Sequence, residues 1–170
     1  MADFKTPPST LDCDAFAAMY GGVYEHSPHF ARSIWHQAPG GGLDTLEGLA
    51  TALRAAVETS GREARLALIR AHPDLANRLR TAPLTRASSL EQASAGLDHC
   101  NPEELAEFQR LNAAYTAKFG FPFIKAVRGF TRAQILEEFR KRAANDSDSE
   151  FAAALSEIHK IARQRLTDMT

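Results

Sequence analysis

Apolar residues along this 170-residue chain recur at three- and four-residue spacing almost throughout, the period of an amphipathic helix rather than the alternation of a strand. Leu46, Leu49, Leu53 and Val57 form one such stripe after Asp44, which with Glu47 three residues on has the form of a capping box. In "SPHFARSIW", Ser27 reads as an N-cap with Pro28 at the first helical position, and Phe30 and Ile34 face one way. Asn101, Pro102 and Glu104 give the same start signal to a helix carrying Leu105, Phe108, Leu111, Tyr115 and Phe119 before Gly120. Thr131 with Gln134 opens another, holding Ile135 and Phe139. No β-branched alternating run of strand length occurs. The pattern therefore predicts an all-α chain, one compact domain over residues 1–170 with about seven or eight helices. "PGGGLD" and "ANDSDSE" read as loops between helices, and no internal repeat is present.

Two positions depart from the simple stripes. In "ALIRAHPDLA" a helix carrying Leu66 and Ile69 reaches His72 just before Pro73. The residue before a proline is biased away from the helical region, so the helix should end there with the imidazole at a helix–loop junction. Carbonyls at a helix C-terminus favour the imidazolium, so His72 is either a cap or a proton donor. Asp74 would cap a following short helix, "LANRL". In the last helix Phe151, Leu155, Ile158 and Ala162 lie within about 40° of one line at 100° per residue, and Arg165 falls on it. Arg163 is about 120° away, on the side expected to meet solvent. A guanidinium on an apolar stripe requires an anionic or hydrogen-bonding partner, unless the last turn frays and the side chain snorkels.

Charge and composition remove several classes of function. Lys plus Arg number 20 against 21 Asp plus Glu, with no block of like charge, so no nucleic-acid footprint or polybasic membrane patch is expected. A chain of this size buries enough surface to fold without staples. The two cysteines, Cys13 and Cys100, form no paired motif, and "MADFKTPPST" lacks the plan of a signal peptide. A reducing, cytoplasmic setting without membrane attachment is the expectation. His26 and His29 are spaced i,i+3 without further ligands, and no phosphate-binding loop, dinucleotide fingerprint or nucleophile elbow is found. Neither a metal nor a cofactor is expected.

Two further stretches could carry chemistry. In "SSLEQASAGL", Ser88 and Glu91 have the spacing of a capping box, which by itself would account for both, while Gln92 and the small residues after it admit a neighbour or a ligand. In "FGFPFIKAVRG", phenylalanines and Pro122 follow a helix end, and main-chain N–H groups left unpaired there could bind a carbonyl or carboxylate. Asn112 and Tyr115, at i and i+3, put two polar groups on one face of the preceding helix.

Taken together, "AHPDLA", "LTRASSLEQASAGL", "LNAAYTAKFGFPFI" and "EIHKIARQRL", with "GGVYEHSP" near the start, resemble the OHCU decarboxylase family over nearly the whole chain. His29 stands where the resemblance would place tryptophan. The resemblance implies cofactor-free decarboxylation of 2-oxo-4-hydroxy-4-carboxy-5-ureidoimidazoline to (S)-allantoin in urate degradation, on an all-helical fold that is generally a homodimer. It links the chain functionally to urate oxidase and hydroxyisourate hydrolase. It implies His72 as the catalytic acid with Glu91 as its catalytic partner. It further implies substrate contacts from Pro73, Ser88, Gln92, the main chain of Phe123, Ile124, Lys125, Ala126 and Val127, and Arg165. Rival readings are a related enzyme acting on another ureido or imidazolone ring, a non-catalytic helical binding module, and a structural bundle in which capping and snorkelling explain every polar residue.

Overall fold

The computed structural model describes residues 3–75, 86, 90 and 100–170. Among these the chain is all-α, with helices α1 (Cys13–Tyr20), α2 (His29–Ile34), α3 (Leu46–Glu58), α4 (Arg62–Ala71), α5 (Pro102–Phe119), α6 (Arg132–Ala143) and α7 (Ser147–Thr167). Arg86 and Leu90 are also helical. Single 3-10 turns or short runs of them occupy Pro8–Thr10, Gly21–Val23 and Trp35–Gly40.

Two compact units are formed. One contains the residues up to Ala71 together with His159–Thr170, and the other contains His72–Ile158. In the first, α1 packs on α2, α2 on α3 and α3 on α4. Its interior holds Phe16, Tyr20, Tyr24, Phe30, Leu49, Leu53, Val57 and Ile69, with Ala162 and Leu166 from the end of α7. In the second, α5 packs on α6 around Phe108, Tyr115, Phe123, Ile135 and Phe139. There the Phe123 and Phe139 rings stack at 3.9 Å, and the Tyr115 ring meets both edge-on. Stacked and edge-to-face rings add directional preference to the burial of a large apolar area, which fixes the residues on either side of Phe123.

Local signals decided most helix ends. Asn101 with Glu104 and Thr131 with Gln134 both form complete capping boxes, as expected. Three expectations need correction. The cap of α3 is Thr45, whose hydroxyl accepts from the Gly48 amide at 3.1 Å. Asp44 is drawn away by a non-local partner, accepting from the amide and hydroxyl of Ser9 at 2.8 and 2.6 Å. Ser27 does not cap α2, because its hydroxyl donates to the carbonyl of Glu25 at 3.0 Å. In "ANDSDSE" the last four residues are already helical. The Asp146 carboxylate accepts from the amides of Asp148 and Ser149, and acidic residues in a first turn suit the helix dipole.

Candidate active site

The site is built from the break after α4 and the reversal after α5. Helix α4 stops at Ala71, and His72 follows in a bend ahead of Pro73, as the sequence requires. His72 is 5% exposed, and Leu75, three residues on, is buried with it. The Leu75 carbonyl accepts a hydrogen bond from Asn112 Nδ2 of α5 at 2.7 Å. Helix α5 itself ends on Gly120, whose φ of 75° is the left-handed conformation that lets the chain turn back. Phe121 to Val127 then run without regular structure, with Phe123, Ile124, Ala126 and Val127 buried.

Two buried charged side chains grip this segment. Arg142 donates to the Ile124 carbonyl at 2.6 Å and lies over the Phe123 ring at 4.5 Å. Glu150 balances it at 3.0 Å and also takes hydrogen bonds from Asn145 Nδ2 and the Tyr115 hydroxyl. Burial, reinforced by Glu150, pushes the Tyr115 phenol well above its ordinary range, so it remains a donor. On the other side, Glu157 accepts from the Ala126 amide at 2.8 Å and lies 3.7 Å from Lys125 Nζ. The carbonyl of Val127 is taken by the Phe130 amide at 3.0 Å. Among the described residues, the amides of Phe123, Ile124, Lys125 and Val127 donate to nothing. Main-chain donors are obligatory hydrogen-bonding groups, so a row of them in a buried stretch is suited to an oxygen-rich ligand.

Arg165 belongs to the other unit and is 7% exposed. It pairs with Glu25 at 2.8 Å and donates to the carbonyls of Gly22 and Val23 at 3.3 and 3.4 Å. The anionic partner its helical phase demands is therefore supplied by the protein. Glu25 is presented by a tight turn in which His26 adopts φ 50° and the Ser27 amide returns to the Tyr24 carbonyl. Six residues earlier on α7, His159 lies between Tyr24 and Glu58, with Nδ1 2.7 Å from the phenol oxygen and Nε2 3.1 Å from the carboxylate. A carboxylate can only accept, so Nε2 carries the hydrogen and Nδ1 of the neutral ring accepts from Tyr24.

The structure thus brings His72, Pro73 and Phe123–Val127 into one compact unit and places Arg165 in the other. Ser88, Glu91 and Gln92, and the short helix expected after Asp74, lie outside the described residues. Among the described residues no cluster of three metal-binding side chains exists, and no helix is long and apolar enough to cross a membrane. Sequence reading missed Glu25, Arg142 and Glu157. Arg142 had a readable signal: at 100° per residue it falls within about 20° of Ile135, on the buried stripe of α6, by the same reasoning that singled out Arg165. Glu25 and Glu157 had none, since each is defined by its partner.

Comparison with known proteins agrees with this architecture. The family model described as OHCU decarboxylase matches residues 9–167. A 2-oxo-4-hydroxy-4-carboxy-5-ureidoimidazoline decarboxylase from Haloferax volcanii is 40% identical over 158 residues, covering 93% of this chain and 90% of the relative. A crystal structure of (S)-allantoin synthase superposes with a TM-score of 0.76 at 32% identity, over 95% of this chain; the chain spans about half, 52%, of that protein. A crystal structure of OHCU decarboxylase in the presence of (S)-allantoin superposes with a TM-score of 0.68 at 25% identity, over 86% of this chain and 93% of that one. With its motifs, its helical fold and a family match along nearly its full length, the chain belongs to the OHCU decarboxylase family, decarboxylating lyases of urate degradation.

Proposed function

We propose that this chain decarboxylates 2-oxo-4-hydroxy-4-carboxy-5-ureidoimidazoline to (S)-allantoin, with His72 as proton donor and without a cofactor. One observation carries the reading: a buried histidine at a helix end shares a compact unit with a segment whose amides are unspent. Cleavage of the bond between C4 and its carboxylate releases CO2, and the bonding pair moves into the ring as a C4–C5 enol while the neighbouring ring nitrogen takes up a proton. His72 then delivers a proton to C5, the carbon bearing the ureido group, from one face, which sets a single enantiomer as the 4-hydroxyl gives up its proton and becomes the carbonyl. Solvent restores the proton to the imidazole. A positioned acid contributes about 10²–10⁴ in rate, so the remaining acceleration is assigned to charge stabilisation and orientation.

The main chain of Phe123 to Val127 is suited to that second task. Its free amides would meet the substrate's carbonyl or carboxylate oxygens, whereas the Ala126 amide, committed to Glu157, would not. Pro73 restricts the backbone beside the acid. Ser88 and Gln92 are assigned to substrate binding, and Glu91 to orienting His72 or accepting from the substrate's N–H groups. The pairing of Arg165 with Glu25 favours a supporting role for Arg165 over direct neutralisation of the substrate. We further propose a cytoplasmic homodimer acting after urate oxidase and hydroxyisourate hydrolase.

The test is a mixture of urate, those two enzymes and this chain, followed by circular dichroism for the sign and rate of allantoin formation. His72→Gln should fold normally and lose about two or more orders of magnitude in kcat; full activity in that variant would exclude His72 as the acid. Activity should survive exhaustive dialysis against a chelator. Restoration that depended on added Zn²⁺ or Mg²⁺ would overturn the cofactor-free mechanism.

A further inference from the structure

Asn112 sits in the interior of α5 with its side-chain nitrogen committed to the Leu75 carbonyl, 37 positions away at 2.7 Å. Its Oδ1 is buried and, among the described residues, accepts no hydrogen bond. The helix-interior position and the unpaired oxygen both work against the fold. Asparagine is a poor helix former, and a buried acceptor without a donor is destabilising. A leucine of similar size would serve the packing better. What leucine cannot do is hold the Leu75 carbonyl.

That carbonyl closes the turn that begins at His72. Pro73 has no N–H to give, so the turn has one main-chain donor fewer, and Asn112 ties it to α5 from outside. Three residues span at most roughly 10 Å, so fixing Leu75 restricts where the imidazole can travel. One helical turn further along the same face, the Tyr115 ring packs edge-on against Phe123 at 5.5 Å. The histidine turn and the amide segment are therefore both referenced to one face of one helix. Reaction rates are sensitive to placement on this scale, a 1 Å error costing about 10²-fold.

We propose that Asn112 is a positioning residue for the decarboxylation, acting through His72; this rests on the assignment of His72 as the acid. Asn112→Leu should lower kcat by about tenfold or more while KM changes less than about threefold. Its melting temperature should move by no more than a few degrees, because removing a buried unsatisfied oxygen offsets the Leu75 carbonyl's loss of its donor. Asn112→Asp, which keeps the shape but not the donor, should show the same kinetic loss, and Asn112→Gln, which keeps the donor, should recover part of it. The decisive measurement is the double variant with His72→Gln. If Asn112 acts through His72, adding Asn112→Leu to His72→Gln causes no further loss. An equal loss in both backgrounds, or a fall in melting temperature with kcat intact, overturns the proposal. Failure of the underlying reading looks different, since His72→Gln alone would then retain full turnover.

Discussion

Arg165 and Glu25, 140 positions apart in the chain, meet with Nη1 2.8 Å from Oε2, their side chains only 7% and 1% exposed. Removing one member of such a buried pair strands the other charge, at a cost of about 3–5 kcal/mol. Arg165→Met is expected to lose that much in urea unfolding. Arg165→Lys should lose less but still measurably, because an ammonium cannot serve the carboxylate and the carbonyls of Gly22 and Val23 in one planar arrangement. Arg163→Lys is the control: its side chain is 51% exposed and pairs with an open Glu47, so stability and kinetics should move by no more than about 0.5 kcal/mol. Equal tolerance at both positions would contradict the pairing seen here.

Glu91→Gln separates catalysis from capping. Glutamine can still accept from backbone amides at a helix start, so stability should remain within about 1 kcal/mol. Turnover, which on our assignment needs the carboxylate beside the imidazole, should be lost. A variant that melts early yet turns over normally would mean that Glu91 serves only the helix end.

His159 should impose a pH dependence on stability. Burial lowers its pKa below the ordinary 6.5, with Glu58 only partly opposing. Between 6.5 and the lower folded value, the unfolded chain binds a proton that the folded chain does not. The stabilising contribution is therefore complete above pH 6.5 and declines as the pH falls from there toward the folded value. Urea midpoints measured from pH 8 down to 5 should show this decline, and His159→Gln should flatten it. An unchanged slope in the variant would assign the decline to other groups.

Gly48 is required by close approach. A Cβ at this position would lie 1.9 Å from the Gly42 carbonyl oxygen and 3.0 Å from the Thr45 hydroxyl that caps α3. Alanine is the better helix former by about 1 kcal/mol, yet Gly48→Ala should destabilise by about 1–3 kcal/mol because backbone opposes the new methyl. Gly22→Ala, with open space around it, should not. Thermal or urea unfolding of the two variants decides the matter.

What was legible in the sequence follows the range of the interactions involved. Capping boxes at Asn101 and Thr131, the end of α4 before Pro73 and the inward phase of Arg165 each depend on residues within a turn or two, and the structure contains all of them. Asp44 and Ser27 carry the same local signals but are diverted, one by Ser9 far away in sequence and the other by the Glu25 carbonyl. The identity of Arg165's partner was not legible, because the Tyr24–Ser27 turn and the end of α7 are joined only by folding. Arg142 is legible by helical phase, whereas the grip of Glu157 on the Ala126 amide requires knowing where an irregular segment runs.

The closure of α5 at both ends has a consequence for motion. Its first turn is sealed by the reciprocal Asn101–Glu104 bonds and its last by Gly120, whose amide returns to the Thr116 carbonyl at 2.8 Å. Helices ordinarily open from their termini, and those with satisfied ends fray least. Amide hydrogen exchange around Asn112 and Tyr115 is thus set by cooperative opening of the packed unit rather than by local fluctuation. On our proposal, the face that orients the chemistry is thereby shielded from fraying at the ends of α5, and its amides should exchange slowly.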